Sequence, residues 1–255
     1  MIGIAWLGHS TVVLDVDGVR LLTDPLLRRH NGLLRRRGAH PPERLWERPD
    51  AVLLSHLHHD HAELRSLRLL PGVPVLTAPE NADWLRRRGI DAARGLGEDW
   101  VDVGEGEGVQ ARLIRADHGH RPMPHRPNAT NGHLVRAPGG TVWVSGDTAP
   151  YAAMADLPRL AGGRIDVAVV PVGGWGVRLS GGHLDAEQAA LCCAWVGARA
   201  ALPVHWGTLH LPLAGDVPHG WMDAPGERFV DALRHLAPGC RPIVLRPGEA
   251  TGVPS

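Results

Sequence analysis

Eleven short runs rich in Val, Ile and Leu recur along the 255 residues, at 2–7, 11–16, 19–23, 51–54, 73–77, 109–116, 133–137, 141–145, 166–172, 200–204 and 242–246. Most are bounded by Gly, Pro or Asp and are short for packed helices, which predicts strands. Segments with helical spacing lie between them, near 61–69, 80–88, 151–160, 185–197 and 225–237. The first half is strand-dense, with hairpin signals at DVDG (15–18) and APGG (137–140), and the second half alternates strand and helix. Many strands with few helices to cover them imply an α/β fold of stacked layers, sheets inside and helices outside. The length fits one large domain or two small ones, and a chain of this size buries roughly 70–75% of its unfolded surface. The one long stretch without a pattern, 25–50, is rich in Arg and Pro and long enough to be a functional loop.

Composition excludes several chemistries. All 27 basic residues are arginine, so there is no Schiff-base lysine and no P-loop lysine. Cys192, Cys193 and Cys240 are odd in number and lack CxxC spacing, which speaks against a disulfide framework or a thiolate zinc site. No GxSxG marks a nucleophile elbow. The 27 basic and 27 acidic residues cancel, which removes the electrostatic case for nucleic-acid binding. No apolar run is long enough to span a bilayer, so no stable membrane insertion is expected. The start, MIGIAWLGHS, lacks a basic segment followed by an apolar one, and a cytoplasmic location is the expectation. What stands out is 16 histidines.

After the run Ala51–Leu54 comes Ser55-His56-Leu57-His58-His59-Asp60-His61, an HxHxDH pattern between a strand and a helix. Alternation in an extended segment puts His56 and His58 on one side, where two imidazoles can share a cation. The turn that follows presents Asp60 and His61 to a neighbouring position. Imidazole and carboxylate ligands suit borderline divalent metals, zinc foremost. A solvated His-rich loop is the competing reading. Three further residues weigh against it: His118 follows the run 109–116, Asp147 follows 141–145 and His205 follows 200–204. Each is a candidate ligand just past the end of an apolar strand.

HxHxDH, a later His, the Asp of SGDT and the His of HWGT resemble the ligand series of the metallo-β-lactamase superfamily. WLGHST (6–11), LLTDP (21–25), VSGDT (144–148), PVGGW (171–175) and HWGT (205–208) resemble one branch of it, which includes L-ascorbate-6-phosphate lactonase and N-acyl-phosphatidylethanolamine phospholipase D. The resemblance implies a four-layer αββα sandwich and one hydrolase domain over 1–255. It implies that His56, His58 and His118 hold one divalent metal, that Asp60, His61 and His205 hold a second, and that Asp147 bridges them. Zinc is favoured, with manganese and iron(II) open. His120 is an alternative to His118, and His59 has no place in the series.

Two metals roughly 3.5–4 Å apart share a hydroxide and polarise a substrate oxygen together. The resemblance makes Asp60 a ligand that also orients the hydroxide and shuttles its proton. His183, in Gly182-His183-Leu184-Asp185, precedes a helix that Asp185 and Gln188 would cap. It is a candidate substrate ligand or general acid, against a structural role at the helix start. The branch often has Pro where this chain has Ala186. His9 reads as a turn residue supporting the site, and Asp24 as the carboxylate that orients a metal-bound histidine. Trp175 and Trp206 could wall the cleft or pack in the core, and Tyr151 could reach it. Histidines 30, 40, 125, 133, 210, 219 and 235 read as surface or loop residues.

The loop 26–37, with paired leucines followed by arginines, could meet an anionic substrate or a membrane surface, or be a solvated loop. The expected function is a metal-dependent hydrolase acting on a small lactone or phosphate-bearing metabolite. The alternatives are a phosphodiesterase of lipid headgroups and a metal-binding protein without turnover.

Overall fold

Asp17 and Gly18 both take positive φ, 47° and 85°, the combination a tight hairpin turn needs. DVDG therefore folds Thr11–Val16 back on Val19–Thr23, with Val16 opposite Val19. APGG does the same later, setting Ala137 opposite Gly140. The computed structural model describes residues 1–104, 108–119, 125–215 and 217–254.

The strands in chain order are β1 (Ile2–Gly8), β2 (Thr11–Val16), β3 (Val19–Thr23), β4 (His30–Asn31), β5 (Leu34–Arg36), β6 (Ala51–Leu53), β7 (Val75–Thr77), β8 (Ala93–Gly95), β9 (Val101–Asp102) and β10 (Gln110–Arg115). They continue as β11 (Asn131–Ala137), β12 (Gly140–Val144), β13 (Val167–Pro171), β14 (Ala200–Val204), β15 (Leu209–His210), β16 (Arg241–Pro242) and β17 (Ala250–Val253). The helices are α1 (Leu64–Leu67), α2 (Pro79–Arg86), α3 (Leu157–Ala161), α4 (Ala186–Trp195) and α5 (Ala224–Leu236). Asp185 and Gln188 form the capping box expected at the start of α4.

Two seven-stranded sheets run in the orders β17-β1-β2-β3-β6-β7-β8 and β16-β14-β13-β12-β11-β10-β9. Each begins antiparallel and turns parallel, from β3 to β6 in one and from β12 to β13 in the other. Strand side chains alternate between two cores. Ile2, Ile4 and Trp6 of β1 and Val167 and Val169 of β13 fill the space between the sheets. Ala5, Leu7 and Val52 face outward onto Ala82 and Leu85 of α2. Ala168 and Val170 face outward onto Ala189, Cys193 and Phe229 of α4 and α5. Burial on both faces is why these strands read as continuous apolar runs instead of alternating ones. The result is the expected αββα layering.

Three expectations are corrected. The stretch 25–50 is not irregular: β5 pairs with β4 on one side and β15 on the other in a third, small sheet. Arg36 pins it, its buried guanidinium donating to the carbonyls of Leu7 and Leu26, and burial pulls its pKa down to about 10. Gly8 leaves room for that contact, since a Cβ there would collide with Arg36 and Thr208. Leu26 and Leu27 are core residues, so the first leucine pair of the loop 26–37 offers nothing to a membrane, whereas Leu33 of the second pair is 83% exposed. Finally, the run 242–246 is a strand only at its first residue, and Val244 points outward, 59% exposed. Among the described residues no helix is long and apolar enough to cross a membrane.

Candidate metal centre

Strand β6 ends against Asp24, whose carboxylate accepts from the Ser55 amide at 2.8 Å and from the Ser55 hydroxyl at 2.7 Å. This clamp aims the loop that follows. His56 and His58 come out with ring centroids 4.4 Å apart, and His118, past the end of β10, closes on them. Its Nε2 is 3.0 Å from His58 Nδ1. A turn, with the Ala62 amide donating to the His58 carbonyl at 2.8 Å, carries Asp60 and His61 to a second group with His205 and His9. Within each group the nearest donor atoms all lie within 4.8 Å of one another.

Asp147, past the end of β12, sits between the groups. Its Oδ2 is 3.1 Å from His61 Nε2, 3.2 Å from His205 Nε2 and 4.0 Å from His118 Nε2. The structure thus brings together all seven residues that the sequence singled out as ligands: His56, His58, Asp60, His61, His118, Asp147 and His205. His120 lies outside the described residues. His59 turns away from the cluster toward Arg126.

Most of these rings are held by the nitrogen that faces away from the centre. His61 Nδ1 donates to Asp24 at 2.8 Å, His118 Nδ1 to the Gly182 carbonyl at 2.6 Å and His205 Nδ1 to the Gly173 carbonyl at 2.8 Å. His56 Nδ1 lies 2.9 Å from Ser55 Oγ. Such partners set ring orientation and raise ligand basicity. Asp24 occupies the place its expected role requires. The inward atoms His56 Nε2, His61 Nε2, His205 Nε2 and Asp147 Oδ1 are buried without hydrogen-bond partners. Each such orphan costs about 1–3 kcal/mol, and cations held between these atoms would satisfy them.

The charges fit the same reading. Burial lowers the pKa of His56 well below its usual value and that of His58 and of His118 to about 4, so these rings are neutral donors. Asp60 and Asp147 are held well below the usual carboxylate range by neighbouring histidines, against burial. Burial also opposes protonation of His61 and His205, but Asp147 and the other carboxylates outweigh it and raise both. A divalent cation held by those carboxylates would displace these protons, because histidine ligates as the neutral ring. A donor set of imidazole and carboxylate without thiolate suits zinc, manganese or iron(II).

Other candidates separate. His183 is half-buried, with Nε2 3.2 Å from Asp147 Oδ2. It lines a cleft of about 300 Å³ floored by His58, Asp60, Asp147 and His205 and rimmed by Trp175 and Arg178. Trp206 instead stacks on Trp6, centroids 5.3 Å apart, and Tyr151 donates its hydroxyl to the Arg115 carbonyl; neither lines the cleft. His9 is more than a turn residue. It is fully buried at φ 52°, and its Nε2 meets Asp60 Oδ2 at 3.0 Å. Burial, with His205 beside it, pulls its pKa down to about 3. His133 is a correction: expected on a surface or loop, it is fully buried in β11, Nε2 3.1 Å from the Leu76 carbonyl. The glycine carbonyls at 173 and 182 carry no signal in sequence; only the fold brings them to the histidines.

Residues 19–206 match the beta-lactamase superfamily domain. A metal-dependent hydrolase of Lawsonia intracellularis, from the set designated UPF0173, is 26% identical over 97% of both chains. An uncharacterised protein of Mycobacterium tuberculosis is 27% identical over 91% of this chain, which spans 64% of that relative's length. Among solved structures, the metallo hydrolase Igni18 of Ignicoccus hospitalis superposes with a TM-score of 0.74 at 21% identity, covering 98% of this chain and 97% of that one.

Proposed function

The chain belongs to the beta-lactamase superfamily, and on that premise we propose that it is a metal-dependent hydrolase of a small lactone or phosphate-bearing metabolite. The reading takes residues 1–255 as one hydrolase domain. It rests above all on one observation: buried ligand atoms of His56, His61 and His205, left without hydrogen-bond partners, converge on Asp147, which lies at the floor of one cleft.

His56, His58 and His118 would hold one cation, Asp60, His61 and His205 a second, and Asp147 both. Two such ions, zinc first and manganese or iron(II) as alternatives, supply Lewis acidity and a water of lowered pKa. The residues do the rest. Asp60, positioned by His9 at 3.0 Å, orients the attacking water and accepts its proton. His183 lines the cleft with Nε2 beside Asp147, in place to protonate the leaving oxygen. No serine or cysteine nucleophile is required, and the three cysteines are buried elsewhere.

The test is elemental analysis of protein purified without added metal, beside Asp147→Asn, followed by a screen of lactones and phosphodiesters. Two metals per chain, falling in the variant, with turnover in the screen, support the reading. One metal or none in the wild type rejects the two-metal centre. Two metals without turnover of any compound favour a binding protein.

A further inference from the structure

The segment between β13 and α4 is fastened at both ends to the metal centre. The Gly173 carbonyl accepts from His205 Nδ1 at 2.8 Å, and the Gly182 carbonyl accepts from His118 Nδ1 at 2.6 Å. His205 belongs to one group of donors and His118 to the other, so the chain between these glycines runs from one half of the centre to the other. At Gly182, φ 80°, a Cβ would overlap the His118 backbone, so the second fastening tolerates no side chain.

What the strap displays is chemically specific. Trp175, Val177 and Leu179 are 45%, 58% and 37% exposed, large apolar side chains that a soluble surface has no reason to group. Arg178 stands among them, and among the described residues lining the cleft it is the one guanidinium. Arg178 is exposed and has no carboxylate partner among the described residues. Its charge is therefore available to a ligand. Guanidinium pairs bidentately with carboxylate or phosphate oxygens. An aromatic ring beside it favours an apolar body.

We propose that the strap 174–181 is the specificity element of this centre, and that it selects a small molecule with an apolar body, packed on Trp175 and Leu179, and an oxyanion group bound by Arg178. This rests on the hydrolase reading for the bond that is broken, but the recognition itself is a property of the strap. The oxyanion is a carboxylate or a phosphate set apart from the scissile bond.

The test measures equilibrium binding to zinc-loaded protein of phenyl phosphate, benzoate, benzyl alcohol and inorganic phosphate, with metal content measured for every variant. Arg178→Ala is expected to weaken phenyl phosphate or benzoate at least tenfold and benzyl alcohol less than twofold. The anion that loses more identifies the group read. Trp175→Ala is expected to weaken phenyl phosphate at least fivefold and leave inorganic phosphate unchanged. If Arg178→Ala leaves both aromatic anions unaffected, metal coordination alone holds them and the proposal is overturned. If wild-type protein binds inorganic phosphate as tightly as phenyl phosphate, the apolar half fails. Fewer than two metals in the wild type would count against the two-metal reading and not against the strap, whose affinity ratios between variants can still be read.

Discussion

The floor and the rim of the cleft are built by opposite rules. In and beneath the floor, the buried histidines His56, His61, His118 and His205 are each held through Nδ1 by a hydroxyl, a carboxylate or a backbone carbonyl. The rim is a glycine-rich strap with exposed Trp175, Val177 and Leu179, touching the floor through its end glycines. A rigid floor holds reactive geometry because its rotamers are locked by packing and hydrogen bonds. A rim fastened at its ends, with Trp175, Val177 and Leu179 exposed outside the core, can vary those side chains without disturbing the ligands. On the proposed reading, the floor carries the chemistry and the rim the choice of substrate.

The largest effect that would sharpen this division is metal loss in Asp147→Asn, since that carboxylate faces both groups. The next is a control on burial. His133 is as buried as the ligands, yet no carboxylate pairs with it among the described residues, and burial lowers its pKa to about 4. A folded-state pKa below the unfolded value of about 6.5 means that its contribution to stability is full above that pH and is lost as pH falls through about 4. Replacing it with Gln is expected to flatten the loss of unfolding free energy between pH 6.5 and 4.5 by about 2–3 kcal/mol, read by urea titration, with metal content unchanged. Loss of metal in this variant would show that burial, rather than convergence on the cleft, marks the centre.

A smaller effect is expected where rim meets floor. Gly182→Ala, strained at positive φ and driven into the His118 backbone, should cost more than the φ strain alone, about 1–2 kcal/mol, and loosen the first metal group. Gly181→Ala, with nothing near its added Cβ, should stay within experimental error. Equal behaviour of the two would break the claim that the strap is fastened at Gly182. Last, His183→Ala should keep both metals and lower turnover at least tenfold, about 1.4 kcal/mol. Unchanged turnover would return His183 to a structural role at the start of α4.

Much of the floor was legible in the chain because its residues sit at local landmarks. HxHxDH follows β6, and His118, Asp147 and His205 each follow the end of an apolar strand. The layering was legible too, since runs such as Ala51–Leu54 are apolar on both faces only when buried on both. The edge strand β17 was not, because Ala250–Val253 has no apolar period and is held by pairing with β1. Nor was the small sheet in 25–50, whose strands are two and three residues long and depend on the buried Arg36.

By itself, then, the sequence determined where strands recur and which side chains stand at their ends, because periodicity and residue type are local properties. Only the tertiary structure decided which nitrogen of each ring faces the centre, that His9 reaches Asp60, that His133 and Leu26 are core, and that a glycine strap spans both donor groups. Each of these turns on a partner far away in the chain, such as the Gly182 carbonyl for His118, and no local pattern records a hydrogen bond that exists only after the sheets have packed.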